Sequence, residues 1–128
     1  MILLDTCTLL WLVAAPSRLS KRARATIDAS RGQMFVSAIS AFEVAIKHRR
    51  RALVLPLPAD EWYAAAIAHH GVVEIAVTGS IAARSVALPA LHADPADRMI
   101  VATAQDRSLT VVTPDRLIGQ YPDVSVIW

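Results

Sequence analysis

The first eleven residues, MILLDTCTLLW (residues 1–11), hold a single charged residue, Asp5, in otherwise apolar or weakly polar surroundings. The aliphatic run before Asp5 is typical of a short buried β-strand, so the carboxylate lies where that strand ends. Because burying an unpaired carboxylate is costly, Asp5 needs hydrogen-bond donors, a cation or solvent at the edge of a sheet. The alternative is an ordinary helix N-cap, a position that Asp favours.

Short aliphatic runs recur along the chain and alternate with longer segments of helical spacing. We predict strands at residues 2–4, 34–36, 72–75, 110–112 and 124–127. We predict helices at residues 8–14, 20–30, 41–50, 60–70, 80–86 and 95–107. Alternating strands and helices favour a parallel sheet with helices on both faces. The predicted fold class is therefore α/β, with a central, mainly parallel five-stranded sheet.

The composition indicates one domain, residues 1–128, in a cytoplasmic protein. Although 55% of the residues are hydrophobic, no apolar stretch approaches the roughly 18 residues of a membrane span. The single cysteine cannot form an internal disulfide, and Asp5 interrupts the first apolar stretch, which argues against a secretory signal. Four glycines are too few and too scattered for a dinucleotide or phosphate loop. A net charge of +2 permits an anionic partner without requiring one.

Glu43 resembles Asp5 in being an isolated charge, here among the apolar residues at the start of the third predicted helix. Such surroundings favour a pocket at the helix start. A specific alternative is a capping box, in which Glu43 accepts a hydrogen bond from the backbone N–H of Ser40. An exposed ion pair with Lys47, four residues on, is also possible and would contribute only tenths of a kcal/mol. Catalysis and capping both remain open for Glu43.

The segment DPADR opens the last predicted helix. Asp94 as N-cap and Pro95 at the first helical position form an ordinary helix start, which accounts for Asp94. Asp97 shares a helical face with Ile100 and Ala104, the face expected to meet the sheet. We therefore expect the Asp97 carboxylate to point inward, toward a pocket.

Asp115 is a fourth candidate, because it follows Thr113 just after the fourth predicted strand. Complementing a helix dipole is its alternative role. All four acids come just after a strand or in the first turn of the helix that follows one, and in a parallel sheet these positions converge. Converging carboxylates repel one another unless a cation neutralises them. Oxygen ligands alone suit a hard ion, Mg²⁺ or Mn²⁺.

Four segments together carry a resemblance to a known family: LLDT (residues 3–6), SAISAFEVAIK (37–47), HADPADRMIVA (92–102) and VTPD (112–115). The chain resembles PIN-domain nucleases, specifically the VapC-like toxins of type II toxin-antitoxin pairs. Cys7 stands where related sequences often carry histidine, and Ala96 replaces a frequent aromatic residue.

The resemblance implies a three-layer α/β/α PIN-like domain whose acidic site matches Asp5, Glu43, Asp97 and, more variably, Asp115. It implies hydrolysis of RNA assisted by Mg²⁺, with Mn²⁺ as a substitute. Asp5 and Asp97 would be the primary metal ligands, and Glu43 would complete the shell or orient the attacking water. A cognate antitoxin protein is the implied partner.

Several further side chains are candidates for contacting the RNA. Thr6 and Thr113 could position carboxylates or phosphate by hydrogen bonds. Arg49 and Arg50 belong to the densest cationic run in the chain and could bind phosphate, with a helix dipole or a solvated face as the alternative. His92, beside the acidic motif, could contact RNA or make a loop hydrogen bond.

Two other classes of protein compete with the nuclease interpretation. A receiver-type phospho-acceptor domain also gathers acids above a parallel sheet, but it needs a lysine near the last strand, and the only lysines are Lys21 and Lys47. A non-catalytic PIN-like module that binds RNA or protein is the second. The high apolar fraction of the chain also suggests that apolar surface remains for a second copy, so we expect a homodimer.

Overall fold

In the computed structural model, which describes residues 1–128, five short strands alternate with six helices. The strands are β1 (Ile2–Leu4), β2 (Met34–Ser37), β3 (Val72–Ile75), β4 (Thr110–Val112) and β5 (Val126–Ile127). The helices are α1 (Thr6–Ala14), α2 (Lys21–Ala29), α3 (Ile39–Arg49), α4 (Ala59–His70), α5 (Gly79–Ala87) and α6 (Pro95–Arg107). Two 3-10 turns, Pro16–Arg18 and Arg116–Gln120, lie in the connections.

The five strands form one sheet in the order β3-β2-β1-β4-β5, and every pairing is parallel. The predicted five-stranded α/β sheet is therefore confirmed. Because β1 is central, Asp5 follows the middle strand, with the ends of β2 and β4 on either side. We call this side of the sheet, where the strands end, the carboxyl edge, and the opposite side the amino edge.

The sheet is buried on both faces, as its apolar strands predict. In β1, Ile2 and Leu4 point to a core formed with α1, α2, α3 and α4, whereas Leu3 points to a core formed with α5 and α6. Leu3 and Leu4 have no exposed surface. Burying a leucine side chain contributes about 1.5–3 kcal/mol, so the central strand is firmly held between the two helical layers. The result is the expected three-layer α/β/α arrangement.

Two helices, α1 and α3, begin two residues before the predicted start, whereas the other four begin within one residue of it. Helix α1 begins at Thr6, two residues early, because Asp5 caps it by accepting a hydrogen bond from the Thr8 N–H at 2.8 Å. Helix α3 begins at Ile39, with Ala38 at the N-cap position. Ser40 therefore lies inside the helix and cannot be its N-cap. The capping-box interpretation of Ser40 and Glu43 is therefore wrong.

The last strand is shorter than predicted, since β5 pairs with β4 only through Val126 and Ile127. Helix α6 has the predicted bounds. None of the six helices combines the length and apolar character needed to cross a bilayer.

Candidate active site

Asp5 is fixed at the carboxyl edge by two hydrogen bonds and is only 8% exposed. One carboxylate oxygen accepts from the Thr8 N–H, and the other accepts from the Thr113 hydroxyl. Burial raises the pKa of Asp5, although both hydrogen bonds oppose that rise. Asp5 is thus a buried acid at the end of β1 and also the N-cap of α1. Both of the roles predicted from the sequence are present.

Glu43 is half-buried and is oriented by a short chain of hydroxyl groups. The Thr6 hydroxyl donates to Glu43 Oε1, and Thr6 Oγ1 lies 2.8 Å from Ser40 Oγ. Because the one Thr6 proton goes to Glu43, the Ser40 hydroxyl is the donor in the second contact. Burial raises the pKa of Glu43, and Asp97 and Asp94 raise it further. Thr6 therefore positions a carboxylate, and Glu43 Oε2 makes no hydrogen bond within the chain.

Asp97 lies at the centre of an acidic cluster at the start of α6. Carboxylate oxygens of Glu43, Asp94 and Asp97 all lie within 4.8 Å of one another. Burial raises the pKa of Asp97, and repulsion from Asp94, Asp115 and Asp5 adds to the rise. No lysine or arginine nitrogen lies within 4.0 Å of any of these acids. Lys47 lowers the pKa of Glu43 and His92 lowers that of Asp97, but both effects are smaller than that of burial. The cluster is a concentration of negative charge with no lysine or arginine in direct contact.

Asp94 belongs to this cluster, although its sequence context predicted only a role as helix N-cap. Its predicted capping role is present, since it accepts from the Ala96 N–H at 2.9 Å. Capping uses one oxygen and leaves the carboxylate beside Asp97. Residues three apart on a helix are neighbours, so the spacing of Asp94 and Asp97 was the signal that could have paired them.

Asp115 is held by a histidine rather than free in the site. Its carboxylate accepts from the Leu117 N–H at 3.0 Å and lies 2.7 Å from His92 Nε2. Tyr121 completes the arrangement: its hydroxyl accepts from the His92 N–H and lies 2.8 Å from Nδ1. Because a carboxylate can only accept, the Nε2–H donates to Asp115, and the Tyr121 hydroxyl is the partner of Nδ1.

The His92 side chain is only 8% exposed, and both ring nitrogens have partners within the chain. This arrangement corresponds to the loop hydrogen bond considered as the alternative. It leaves no ring nitrogen for the expected RNA contact. We therefore assign His92 to holding Asp115.

Thr113 connects two of the acids. Its buried hydroxyl donates to Asp5 and accepts from the Asp115 N–H at 3.0 Å. Of the two roles expected for Thr113, positioning a carboxylate is the one its contacts fit, because the hydroxyl has no further proton for a phosphate.

Arg98, next to Asp97, has a structural role that its sequence context did not predict. Its guanidinium donates to five backbone carbonyls, those of Ser85, Val86, Leu88, Pro89 and His92. Two of these carbonyls belong to the last turn of α5, which lacks internal partners. Arg98 therefore caps α5 and ties down the loop that leads into α6 and the acidic cluster.

A groove runs from the acidic cluster along α3, with a cavity of about 280 Å³. We call it the α3 groove; it is lined by Phe42, Glu43, Ile46, Lys47, Arg50, Asp94 and Ala96. Arg50 lies in this groove, whereas Arg49 is exposed outside it. Lys47 also lines the groove and makes no salt bridge with Glu43, so the ion pair considered from the sequence is absent.

Cys7 lies in α1 near the same edge, two residues after Asp5. Burial, followed by the charge of Asp5, raises the pKa of its thiol to about 11. The group is therefore protonated at neutral pH and is a poor nucleophile or metal ligand.

The donor set fits a hard divalent cation. It offers only carboxylate oxygens, and their mutual repulsion is the electrostatic condition that a cation relieves. Three helices, α1, α3 and α6, also begin at this edge. The partial positive charge at their N-termini stabilises the ionised carboxylates.

Comparisons with known proteins agree with this geometry. The family model of the PIN domain matches residues 2–123. The chain is 35% identical to ribonuclease VapC22 of Mycobacterium tuberculosis (strain H37Rv) over 130 residues, which cover 99% of this chain and 98% of that protein.

Solved structures share the fold at lower identity. DNA-bound VapBC from Salmonella typhimurium matches with a TM-score of 0.70 and 18% identity, covering 99% of this chain and 98% of that one. A toxin-antitoxin complex from Klebsiella pneumoniae matches with a TM-score of 0.64 and 24% identity, covering 97% and 95%. These likenesses concern the fold alone, whereas the family match extends over nearly the whole sequence. The chain belongs to the PIN-domain family and is a relative of a VapC ribonuclease.

Proposed function

We propose that this chain is a Mg²⁺-dependent endoribonuclease, with Mn²⁺ as a substitute, that acts as the toxin of a toxin-antitoxin pair. The observation that carries the proposal is the cluster of Glu43, Asp94 and Asp97, whose oxygens lie within 4.8 Å of one another beside buried Asp5. Full-length similarity to a ribonuclease supports RNA as the substrate.

In this proposal Asp5 and Asp97 hold the cation, and Asp94 lies close enough to Asp97 to join them. When bound, such an ion polarises a phosphate and lowers the pKa of a bound water. Thr113 keeps the Asp5 carboxylate in place. Asp115 adds negative charge near Asp97, while His92 and Leu117 occupy its oxygens.

Glu43 is the residue best placed to receive a proton from the attacking water. Its Oε1 is held by Thr6, which leaves Oε2 for that proton. A carboxylate of raised pKa is a stronger base than an ordinary one, which favours this role. A bond forms between the water oxygen and phosphorus while the P–O3′ bond breaks, and the departing 3′ oxygen takes a proton from solvent. We therefore expect products with 5′-phosphate and 3′-hydroxyl ends.

The proposal includes two protein partners. The structural relatives are toxin-antitoxin complexes, which supports a cognate antitoxin for this chain. Expression should therefore arrest growth, and co-expression of a small partner should rescue it. We also propose a homodimer, for which light scattering should give twice the mass of 13.8 kDa. A monomer at high concentration would count against the dimer.

Cleavage of mixed cellular RNA by the purified protein tests the proposed activity. Cleavage should require Mg²⁺ or Mn²⁺, stop on addition of EDTA and disappear in Asp97→Asn. Cleavage that is independent of metal and survives this substitution would contradict the proposed site. RNA binding with no cleavage in either metal would favour a non-catalytic PIN-like module. Membership of the PIN family displaces the receiver-type alternative.

A further inference from the structure

The α3 groove shares two of its lining residues, Glu43 and Asp94, with the acidic cluster. We infer that this groove is the track on which single-stranded RNA lies as it enters the site. Lys47 and Arg50 bind its phosphates, and Phe42 stacks against a base. The inference rests on the proposed ribonuclease function and specifies which surface of the chain holds the substrate.

The cations of the groove are not used within the chain. Lys47 and Arg50 make no salt bridge and no side-chain hydrogen bond. Several other exposed cations, such as Lys21 and Arg22, also lack such partners, but only Lys47 and Arg50 line the groove that adjoins the acidic cluster. Two free cations beside a strongly acidic cluster are suited to a polyanion whose reacting phosphate lies at the acids.

The spacing of the charges along α3 fits a strand running along the helix. Glu43, Lys47 and Arg50 occupy positions i, i+4 and i+7, which share one helix face. At 1.5 Å per residue, Arg50 lies about 10 Å along the axis from Glu43. Phosphates held by the two cations would therefore belong to nucleotides next to the one being cleaved.

Phe42 supplies the apolar part of the surface. Its side chain is 59% exposed, and it is the one aromatic residue among the large hydrophobic side chains that the fold leaves exposed. Aromatic faces next to free cations are the usual elements of single-strand binding, because every base can stack on them. A protein partner would contact Phe42 mainly through its hydrophobic surface, whereas an RNA base needs the flat aromatic ring. A substitution that keeps the hydrophobicity but removes the ring therefore distinguishes RNA from protein.

Binding of an end-labelled single-stranded RNA of mixed sequence, measured by fluorescence anisotropy in EDTA at low salt, tests the role of Phe42. Phe42→Ala should weaken binding about 5-fold or more, the lower end expected for one stacked base. Phe42→Leu should weaken it similarly, whereas Phe42→Tyr should retain it. Val73→Ala, a truncation of another exposed side chain, is the matched control and should bind as the unaltered chain does.

The salt dependence of the same binding tests the two cations. Lys47→Ala and Arg50→Ala should each reduce the slope of log affinity against log salt by about 0.7, the value for one phosphate contact on a single strand. Arg22→Ala removes an exposed cation from α2, away from the groove, and should leave the slope unchanged. Urea unfolding of each variant checks that the fold is intact.

Two results of the binding measurements would overturn the inference. One is RNA binding that is unaffected by the Lys47, Arg50 and Phe42 substitutions. The other is retention of RNA binding in Phe42→Leu, which would indicate an apolar contact in place of a stacked base. If these variants kept RNA binding but lost binding of an antitoxin, the groove would be a site for protein.

Cleavage assays of the same variants separate this inference from the proposed function. If RNA binding depends on the groove but no cleavage occurs in Mg²⁺ or Mn²⁺, the enzymatic proposal fails and the inference stands. If cleavage occurs with unchanged kcat/KM in all groove variants, the inference fails and the enzymatic proposal stands.

Discussion

The two edges of the sheet differ in how their charges are satisfied. The amino edge has the larger cavity, about 770 Å³, which extends from Leu12 and Met34 to His69 and Gly71. Its one acid, Asp28, forms a salt bridge with Arg24 at 3.3 Å. At the carboxyl edge no acid contacts a lysine or arginine, and only Asp115 has a charged-type partner, His92. Unpaired charge, rather than cavity size, therefore distinguishes the candidate site.

Helix direction explains part of this difference. Helices α2 and α4 end at the amino edge, so their carbonyl ends favour a cation such as Arg31 there. Helices α1, α3 and α6 begin at the carboxyl edge, where N–H ends favour carboxylates. In a parallel α/β fold every crossover repeats this polarity, so acids near the strand ends are tolerated even when they repel one another.

The largest expected effect comes from replacing one acid at each edge. Asp97→Asn should lower the rate of RNA cleavage by more than about 100-fold, because a metal ligand supplies several kcal/mol to the transition state. Asp28→Asn, at the amino edge, should change it by less than about 2-fold. Initial rates at equal Mg²⁺ measure both. Equal losses in the two variants would remove the distinction between the edges.

Thr110, the first residue of β4, and Thr113, the residue directly after that strand, offer the next comparison. Thr113→Val removes the hydroxyl that joins Asp5 to the Asp115 N–H, and should lower cleavage by about 10- to 100-fold, as expected for a residue that orients a metal ligand. Thr110→Val, at the amino end of the same strand, removes a hydroxyl that makes no hydrogen bond and should leave the rate nearly unchanged. Unaltered activity in Thr113→Val would show that Asp5 does not need this support.

Arg98 tests whether the carboxyl edge also depends on backbone support. Arg98→Ala should lower the free energy of unfolding by about 1–3 kcal/mol, because it leaves carbonyls at the end of α5 without donors. Arg107→Ala, on the same helix but 55% exposed, should change it by less than about 0.5 kcal/mol. Urea unfolding monitored by circular dichroism provides both values. A loss in Arg107→Ala as large as that in Arg98→Ala would contradict the capping role.

The smallest expected effect is on the pH dependence of stability without metal. Burial raises the pKa of Asp97, so the folded chain holds this proton more tightly than the unfolded chain. The stabilisation is complete below the ordinary carboxylate pKa of about 4 and is lost as pH rises through the raised value. In EDTA, Asp97→Asn should flatten this loss and Asp28→Asn should not. Identical pH profiles for all three proteins would contradict the raised pKa.

Much of the fold could be predicted because the strands are short, apolar and bounded by clear helix starts. The bounds of β1, β3, β4 and α6 agree with the prediction. The order of the strands could not be predicted, because the strands are similarly apolar and their sequences do not indicate which strands pair with each other. That order is what places β1 in the centre.

For the site, strand-end positions predicted where Asp5, Glu43 and Asp97 lie, and their roles remain predictions. The partners of these acids could not be predicted, because they depend on long-range contacts. Thr113 reaches Asp5 across 108 positions, and Thr6 reaches Glu43 across 37. Asp94 was set aside because local capping already explained it, although one carboxylate can both cap a helix and face a cation.

Diffraction from crystals soaked in Mn²⁺ tests most directly the central claim that the unpaired acids bind a divalent cation. We predict an anomalous difference peak at the carboxyl edge, among the carboxylates of Asp5, Glu43, Asp94 and Asp97, and none at the amino edge. The absence of a peak there at saturating Mn²⁺, or a peak only beside His69 and Asp28, would contradict the claim.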